Sequence, residues 1–102
     1  PASALTQAQV LIVQLDGEGR EEGLRALRGL REAGVRSVLY PDIAKLKKQM
    51  KYASDLGVQF VLMAGEEERA NGTWTVRNMK TGDQVQVPST AIVSWMEAAI
   101  IG

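Results

Sequence analysis

Apolar residues along the chain change period several times, and each change marks an element. Val10-Leu11-Ile12-Val13-Gln14-Leu15 is a nearly continuous apolar run, the pattern of a strand buried on both faces. Asp16-Gly17-Glu18-Gly19 breaks it. From about Glu21 to Ala33 the spacing becomes helical: Gly23, Leu24, Ala26, Leu27, Leu30 and Ala33 share one face, and Glu21, Arg25, Arg28 and Glu32 share the opposite one. Two i,i+4 ion pairs are expected on that outer face, worth a few tenths of a kcal/mol each. Gly34 stands where a glycine closes a helix.

Val35 to Tyr40 reads as a second strand, and Pro41-Asp42 as the turn into a second helix. At about 100° per residue, Ile43, Leu46, Met50 and Ala53 fall on one stripe of that helix, expected to pack on a sheet. Lys45 and Lys48 flank Gln49 and Tyr52 beside the stripe, while Lys47 and Lys51 face solvent. Leu56-Gly57 ends the helix and Val58 to Ala64 forms a third apolar strand. Two short strand-helix-strand units imply right-handed parallel crossovers and a three-layer α/β/α arrangement.

The remainder has a different pattern. Gly65 to Ala70 is polar, expected as one helical turn, and closes at Asn71-Gly72. Thr73 to Met79 alternates as a two-faced strand, the turn Lys80-Thr81-Gly82-Asp83 follows, and Gln84 to Val87 returns as its hairpin partner. Ser89 after Pro88 is expected to cap a last helix with Ile92, Trp95, Met96, Ala99 and Ile100 on its apolar side.

Composition limits the chemistry. The 102 residues suffice for one domain, expected over residues 10 to 102 behind a linker or lead-in at 1 to 9. The chain lacks cysteine and histidine, which removes a disulfide framework, a zinc site, a thiol nucleophile and a Ser-His pair. No run approaches the roughly 18 apolar residues of a membrane span, and Pro1 to Ala8 does not resemble a signal peptide. A cytoplasmic domain is expected, with no membrane partner. Because the sequence starts at Pro1 without a methionine, it reads as a piece of a longer polypeptide.

Net charge is zero, yet four of the five lysines lie in the second helix. A lysine run is commonly just a solvated face. In an open α/β sheet, however, ligands bind beyond the carboxyl ends of the parallel strands. Asp16 and Gly17, Tyr40 and Asp42, and Glu66 to Glu68 follow those ends, and the first turn of the lysine helix rises from the same edge. Its amides and dipole favour an anion. The fourth strand starts there and could bring Arg77 toward it. Lysines for phosphates, an aromatic for stacking and a glutamate for a base edge suit single-stranded nucleic acid. Gly17-Glu18-Gly19 lacks the third glycine of a dinucleotide fingerprint, which disfavours that alternative. Trp74 and Trp95 lie in amphipathic patterns and read as packing residues.

Tyr40-Pro41-Asp42, the string Lys45-Leu46-Lys47-Lys48-Gln49-Met50-Lys51-Tyr52-Ala53, the segment Gly65-Glu66-Glu67-Glu68 and Asn71-Gly72 together resemble the C-terminal anticodon-binding domain of histidyl-tRNA synthetases. The resemblance covers about residues 9 to 101. It implies a five-stranded mixed sheet of order 2-1-3-4-5 with strand 4 antiparallel, and an edge that holds the anticodon arm of tRNA(His). By position, Glu68, or its neighbour Glu67, and Arg77 look like the residues that contact anticodon bases in related class II synthetases. Lys45, Lys48 and Gln49 would lie along the arm, with Tyr40 and Asp42 at the same edge.

The resemblance also implies a division of labour. Histidine activation with ATP and Mg would fall to a catalytic domain without counterpart in this chain, leaving this piece no catalytic residue, metal or cofactor of its own. The parent would be a homodimeric ligase and the isolated piece a monomer. Two other functions compete: a synthetase-like domain that senses tRNA or joins an assembly without aminoacylation, and an autonomous small-molecule enzyme with a nucleotide pocket.

Overall fold

The computed structural model describes residues 7–102. Its strands are β1 (Val10–Ile12), β2 (Ser37–Leu39), β3 (Phe60–Met63), β4 (Thr73–Asn78) and β5 (Gln84–Pro88). Its α-helices are α1 (Arg20–Glu32), α2 (Leu46–Leu56), α3 (Glu66–Asn71) and α4 (Ile92–Ile100), with 3-10 turns at Gly17–Gly19 and Ser89–Ala91. One sheet holds all five strands in the order β2-β1-β3-β4-β5. β1 pairs in parallel with β2 and β3, whereas β4 runs antiparallel to β3 and to β5. The expected sheet order and the reversed fourth strand are therefore both present.

The two sheet faces bury separate cores because strand side chains alternate. Val10, Ile12, Leu62, Trp74, Val76 and Val87 pack with Ala26 and Leu30 of α1 and Ile92 and Met96 of α4. Leu11, Val13, Val61 and Met63 pack on the other side with Ala53 of α2, joined by Met50 and Leu56. Val10, Leu11 and Ile12 are wholly buried, as the continuous apolar run requires. Burying each such side chain stabilises the fold by roughly 1.5 to 3 kcal/mol. Both tryptophans are packing residues: Trp74 is buried, and Trp95 meets Phe60 edge-on with ring centroids 5.6 Å apart.

Helix ends follow local chemistry. Gly57 has φ +73° and its N–H donates to the carbonyls of Ala53 and Ser54, which closes α2 in a conformation that costs any residue with a Cβ. Ser89 departs from the expected cap. Its hydroxyl and its N–H both donate to the carbonyl of Gly72, so it ties the start of the last helical segment to the head of β4. The two ion pairs expected on α1 are not formed among the described residues, where Lys51–Asp55, Arg69–Asp16 and Arg69–Glu18 are the pairs present. Gln7 to Gln9 are fastened to the sheet: Gln9 N–H donates to Arg36 O, and Arg36 Nε donates to Gln7 O. The rest of the expected lead-in lies outside the described residues.

The apolar stripe of the lysine helix also needs correction. Lys45 has extended backbone (ψ 145°), so α2 begins at Leu46 and Ile43 precedes it. Ile43 and Leu46 are exposed, and the buried face is Gln49 and Ala53 with half-buried Met50 and Leu56. Gln49, which hydrophobic periodicity placed beside the stripe, is buried, while Ile43 and Leu46, which it placed on the stripe, are not.

Candidate nucleic-acid interface

β1, β2 and β3 end at one edge of the sheet, and the loops that follow them build a cleft there. Because β4 is antiparallel, it enters at this edge. Met63 stands opposite Thr75, Thr75 opposite Gln86, Val61 opposite Arg77 and Arg77 opposite Gln84. Paired residues share a face. Val61 and Met63 belong to the core under α2, so Thr75, Arg77, Gln84 and Gln86 lie on that same face. The helix core does not extend over them: Gln84 and Gln86 are exposed, and Thr75 and Arg77 half-buried.

The result is an open cleft of about 450 Å³ with a floor of Met63, Thr75, Gln84 and Gln86. Leu15 and Leu46 form an apolar wall, and Gly65 and Glu68 form a polar one. Apolar walls with a few amide, hydroxyl and carboxylate groups can hold the face of a base and hydrogen-bond to its edge. Lys45 and Lys48 are exposed beside Leu46. No side chain caps the first turn of α2; the Lys48 N–H donates to the Lys45 carbonyl, and the Leu46 and Lys47 amides add donors next to those cations.

Glu68 is held in place before any ligand arrives. Its carboxylate accepts from the Gly65 N–H at 2.9 Å and from the Thr75 hydroxyl at 3.3 Å. The Gly65 bond, with the helix-start amide of Glu68 itself, holds this carboxyl below the ordinary glutamate value of 4.5 against the opposing effect of burial. Next to it, Arg69 donates to Asp16 at 3.0 Å, approaches Glu18 at 3.6 Å and donates to Ala64 O at 3.4 Å. The Arg69 bond is the main reason that the Asp16 carboxyl lies below its ordinary 3.8, aided by the Gly19 N–H. Arg69 thus joins α3 to the turn after β1. Asp16, expected at the ligand edge, serves there as a structural ion-pair partner.

The other expected residues divide. Glu67 is exposed but forms no wall of the cleft, whereas Glu68 does. Asp42 is exposed in the loop before α2. Tyr40 is not a stacking platform: it is buried, and its ring meets Tyr52 edge-on at 5.3 Å. The accessible aromatic on this side is Tyr52, 40% exposed. Gln49 is corrected as well. It is wholly buried and spends its amide on main-chain atoms, so its side chain cannot lie along a ligand. Arg77 shares the face of Thr75 but ends beside Gly82 in the hairpin turn, its Nε buried and without a partner.

Sequence reasoning missed Leu46 as a wall and Thr75, Gln84 and Gln86 as floor. The alternation Gln84-Val85-Gln86-Val87 carried a signal, but only the register shows which face is open. Among the described residues no three acidic side chains gather to hold a metal ion, and no helix is long and apolar enough to cross a membrane.

The anticodon binding domain family matches this chain over residues 9–99. A histidine–tRNA ligase of Porphyromonas gingivalis is 43% identical over 91 residues, which span 89% of this chain and 20% of that protein. Histidyl-tRNA synthetase from Nostoc sp. PCC 7120 superposes with a TM-score of 0.86 at 25% identity, covering 93% of this chain and 23% of the other. The RNA binding domain of threonyl-tRNA synthetase from Cryptosporidium parvum Iowa II shares the fold, with a TM-score of 0.81 at 17% identity over 90% of this chain and 23% of its own. The chain thus spans about one fifth of the length of the curated relatives that it matches.

Proposed function

Because this chain belongs to the anticodon binding domain family, we propose that it docks the anticodon arm of tRNA(His) for a histidine–tRNA ligase. Activation of histidine with ATP and magnesium, and its transfer to tRNA, would be carried out by other parts of such a ligase. The observation that carries the reading is the meeting of unlike groups at one cleft: Leu15 and Leu46 on one side, Glu68 on another, and Gln84 and Gln86 on the floor, with the exposed Lys45 and Lys48 flanking Leu46 in sequence.

Each group has a distinct task. Lys45 and Lys48 hold phosphates and set the position of the loop without reading its sequence. A base unstacked from the loop enters between Leu46 and Met63. Glu68, restrained by Gly65 and Thr75, accepts from an amino or imino group on the base edge, while Gln84 and Gln86 offer both donors and acceptors. With zero net charge and one lysine cluster, the isolated domain binds weakly, at micromolar affinity or poorer.

Chemical-shift mapping tests the location. Addition of a tRNA(His) anticodon stem-loop is expected to move the amides of Lys45 to Lys48, Gly65, Glu68, Thr75 and Gln84 to Gln86. Changes confined to the opposite edge, around Arg36 and the hairpin turn at Lys80 to Asp83, would remove the cleft from the interface.

A further inference from the structure

Gln49 is the one residue of the lysine helix whose polar side chain is wholly enclosed, and we propose that its amide is a positioning device. It fixes the roll of α2 about its axis, and so where Lys45, Leu46 and Lys48 stand relative to the Glu68 cleft. This inference rests on the RNA-docking reading of that cleft and adds a residue that touches no RNA.

Gln49 has no exposed surface, and its Oε1 accepts from the Gln14 N–H at 2.7 Å. Its Nε2 donates to the carbonyls of Gln14 at 2.7 Å and Ala44 at 2.8 Å. The first two bonds form a reciprocal pair with one residue's main chain, as a neighbouring strand would. They take up the backbone groups of Gln14, which lies beyond the end of β1. Gln14 is itself buried, and its Nε2 donates to the carbonyl of Tyr40. The Tyr40 N–H donates back to Ile12 O at 2.9 Å, and the Ala44 N–H to Gln14 O at 3.3 Å. The end of β1, the loop after β2 and the first turn of α2 thus form one hydrogen-bonded unit.

An apolar side chain of similar size would fill the same space, but it would hold the helix without direction. Contacts such as those of Met50 and Ala53 are non-directional and tolerate a small rotation. A pair of short hydrogen bonds does not, because such bonds weaken as their angles depart from linearity. With a helix radius of about 5 to 6 Å including side chains, a roll of about 20° moves its surface by roughly 2 Å. Leu46 is a wall of the cleft, so that movement changes the cleft's width. Lys45 accepts the Gln49 N–H at its carbonyl, and Lys48 is adjacent to Gln49 in sequence, so both move with it.

The test uses Gln49→Met, which keeps the volume and removes all three side-chain bonds. Its folded state is checked by its amide spectrum. Binding to the tRNA(His) anticodon stem-loop and to a loop of altered anticodon is then measured over a range of salt. Shift changes at Gln14, Ala44 and residues 45 to 48 are expected. The slope of log affinity against log salt should fall by about 0.7 for each lysine displaced, and the cognate preference should drop severalfold. A purely structural role would only lower the folded fraction, which scales both affinities alike and leaves slope and preference unchanged. That result in a folded variant would overturn the proposal. If Gln49→Met does not fold, Gln49→Asn, an amide one methylene short, takes the same measurements with the same two outcomes. A wild-type protein that binds neither loop overturns the RNA reading itself, and this inference with it.

Discussion

The Thr75 hydroxyl donates to the Glu68 carboxylate across 3.3 Å, joining β4 to α3 at the floor of the cleft. The carboxylate is therefore aimed by the fold, with Gly65 N–H holding its other oxygen. Replacing Glu68 by alanine removes the bond that closes the start of α3 and costs about 1 kcal/mol of stability. Its larger effect falls on binding: discrimination between cognate and altered anticodon loops drops by roughly 1 to 3 kcal/mol. Thr75→Val shifts discrimination in the same direction by less. Parallel titrations of both loops with each variant measure the two effects.

Lys48→Ala and Lys45→Ala behave differently. A lysine on a phosphate carries no sequence information, so each substitution weakens binding to any anticodon arm by a similar factor. Each also lowers the salt slope by about 0.7. Unequal losses for cognate and altered loops would show that these lysines take part in base reading.

Acid should destabilise the fold by a defined route. The folded-state pKa of Glu68 lies below 4.5 and that of Asp16 below 3.8. Their bonds therefore contribute fully above those ordinary values. The contribution is lost as pH falls through the ordinary value toward the lower folded one, because the unfolded chain takes up the proton first. Urea midpoints are expected to fall as pH drops through these ordinary values, Glu68 first and Asp16 after it. Glu68→Gln should flatten the upper part of that decline and leave the Asp16 part. An unchanged pH profile in Glu68→Gln would contradict the assignment.

Much of the fold is legible in the periodicity. Continuous apolar runs gave the buried parallel strands, a period of 3.6 gave α1, and the turn around Gly82 gave the β4–β5 hairpin. The errors have physical causes. Gln49 is buried through hydrogen bonds rather than apolarity, so a hydrophobic count placed Ile43 and Leu46 inside instead. Tyr40 is covered by Tyr52, a contact one helix away. Ser89 found a partner in Gly72, seventeen residues earlier in the chain. For the cleft, Glu68 was readable as a carboxylate that follows the third strand, and it lines the cleft. Gln84 and Gln86 needed the strand register, and the direction of Arg77 needed the side-chain packing.

Gly57 gives a check on the backbone. With φ +73° at the end of α2, Gly57→Ala forces a Cβ into the left-handed region, at a cost of about 1 to 2 kcal/mol. The ideal Cβ would also meet Gln7, whose amide donates to the carbonyls of Leu56 and Gly57. A lowered denaturation midpoint with unchanged loop preference is the expected result.

The most direct measurement is a titration of this chain with the tRNA(His) anticodon stem-loop beside a loop of altered anticodon, each at low and high salt. Tighter binding to the cognate loop, weakened by salt for both but with the preference retained, is the expected result. Equal affinity for the two loops would reduce the cleft to a generic basic lip and contradict anticodon recognition by this domain.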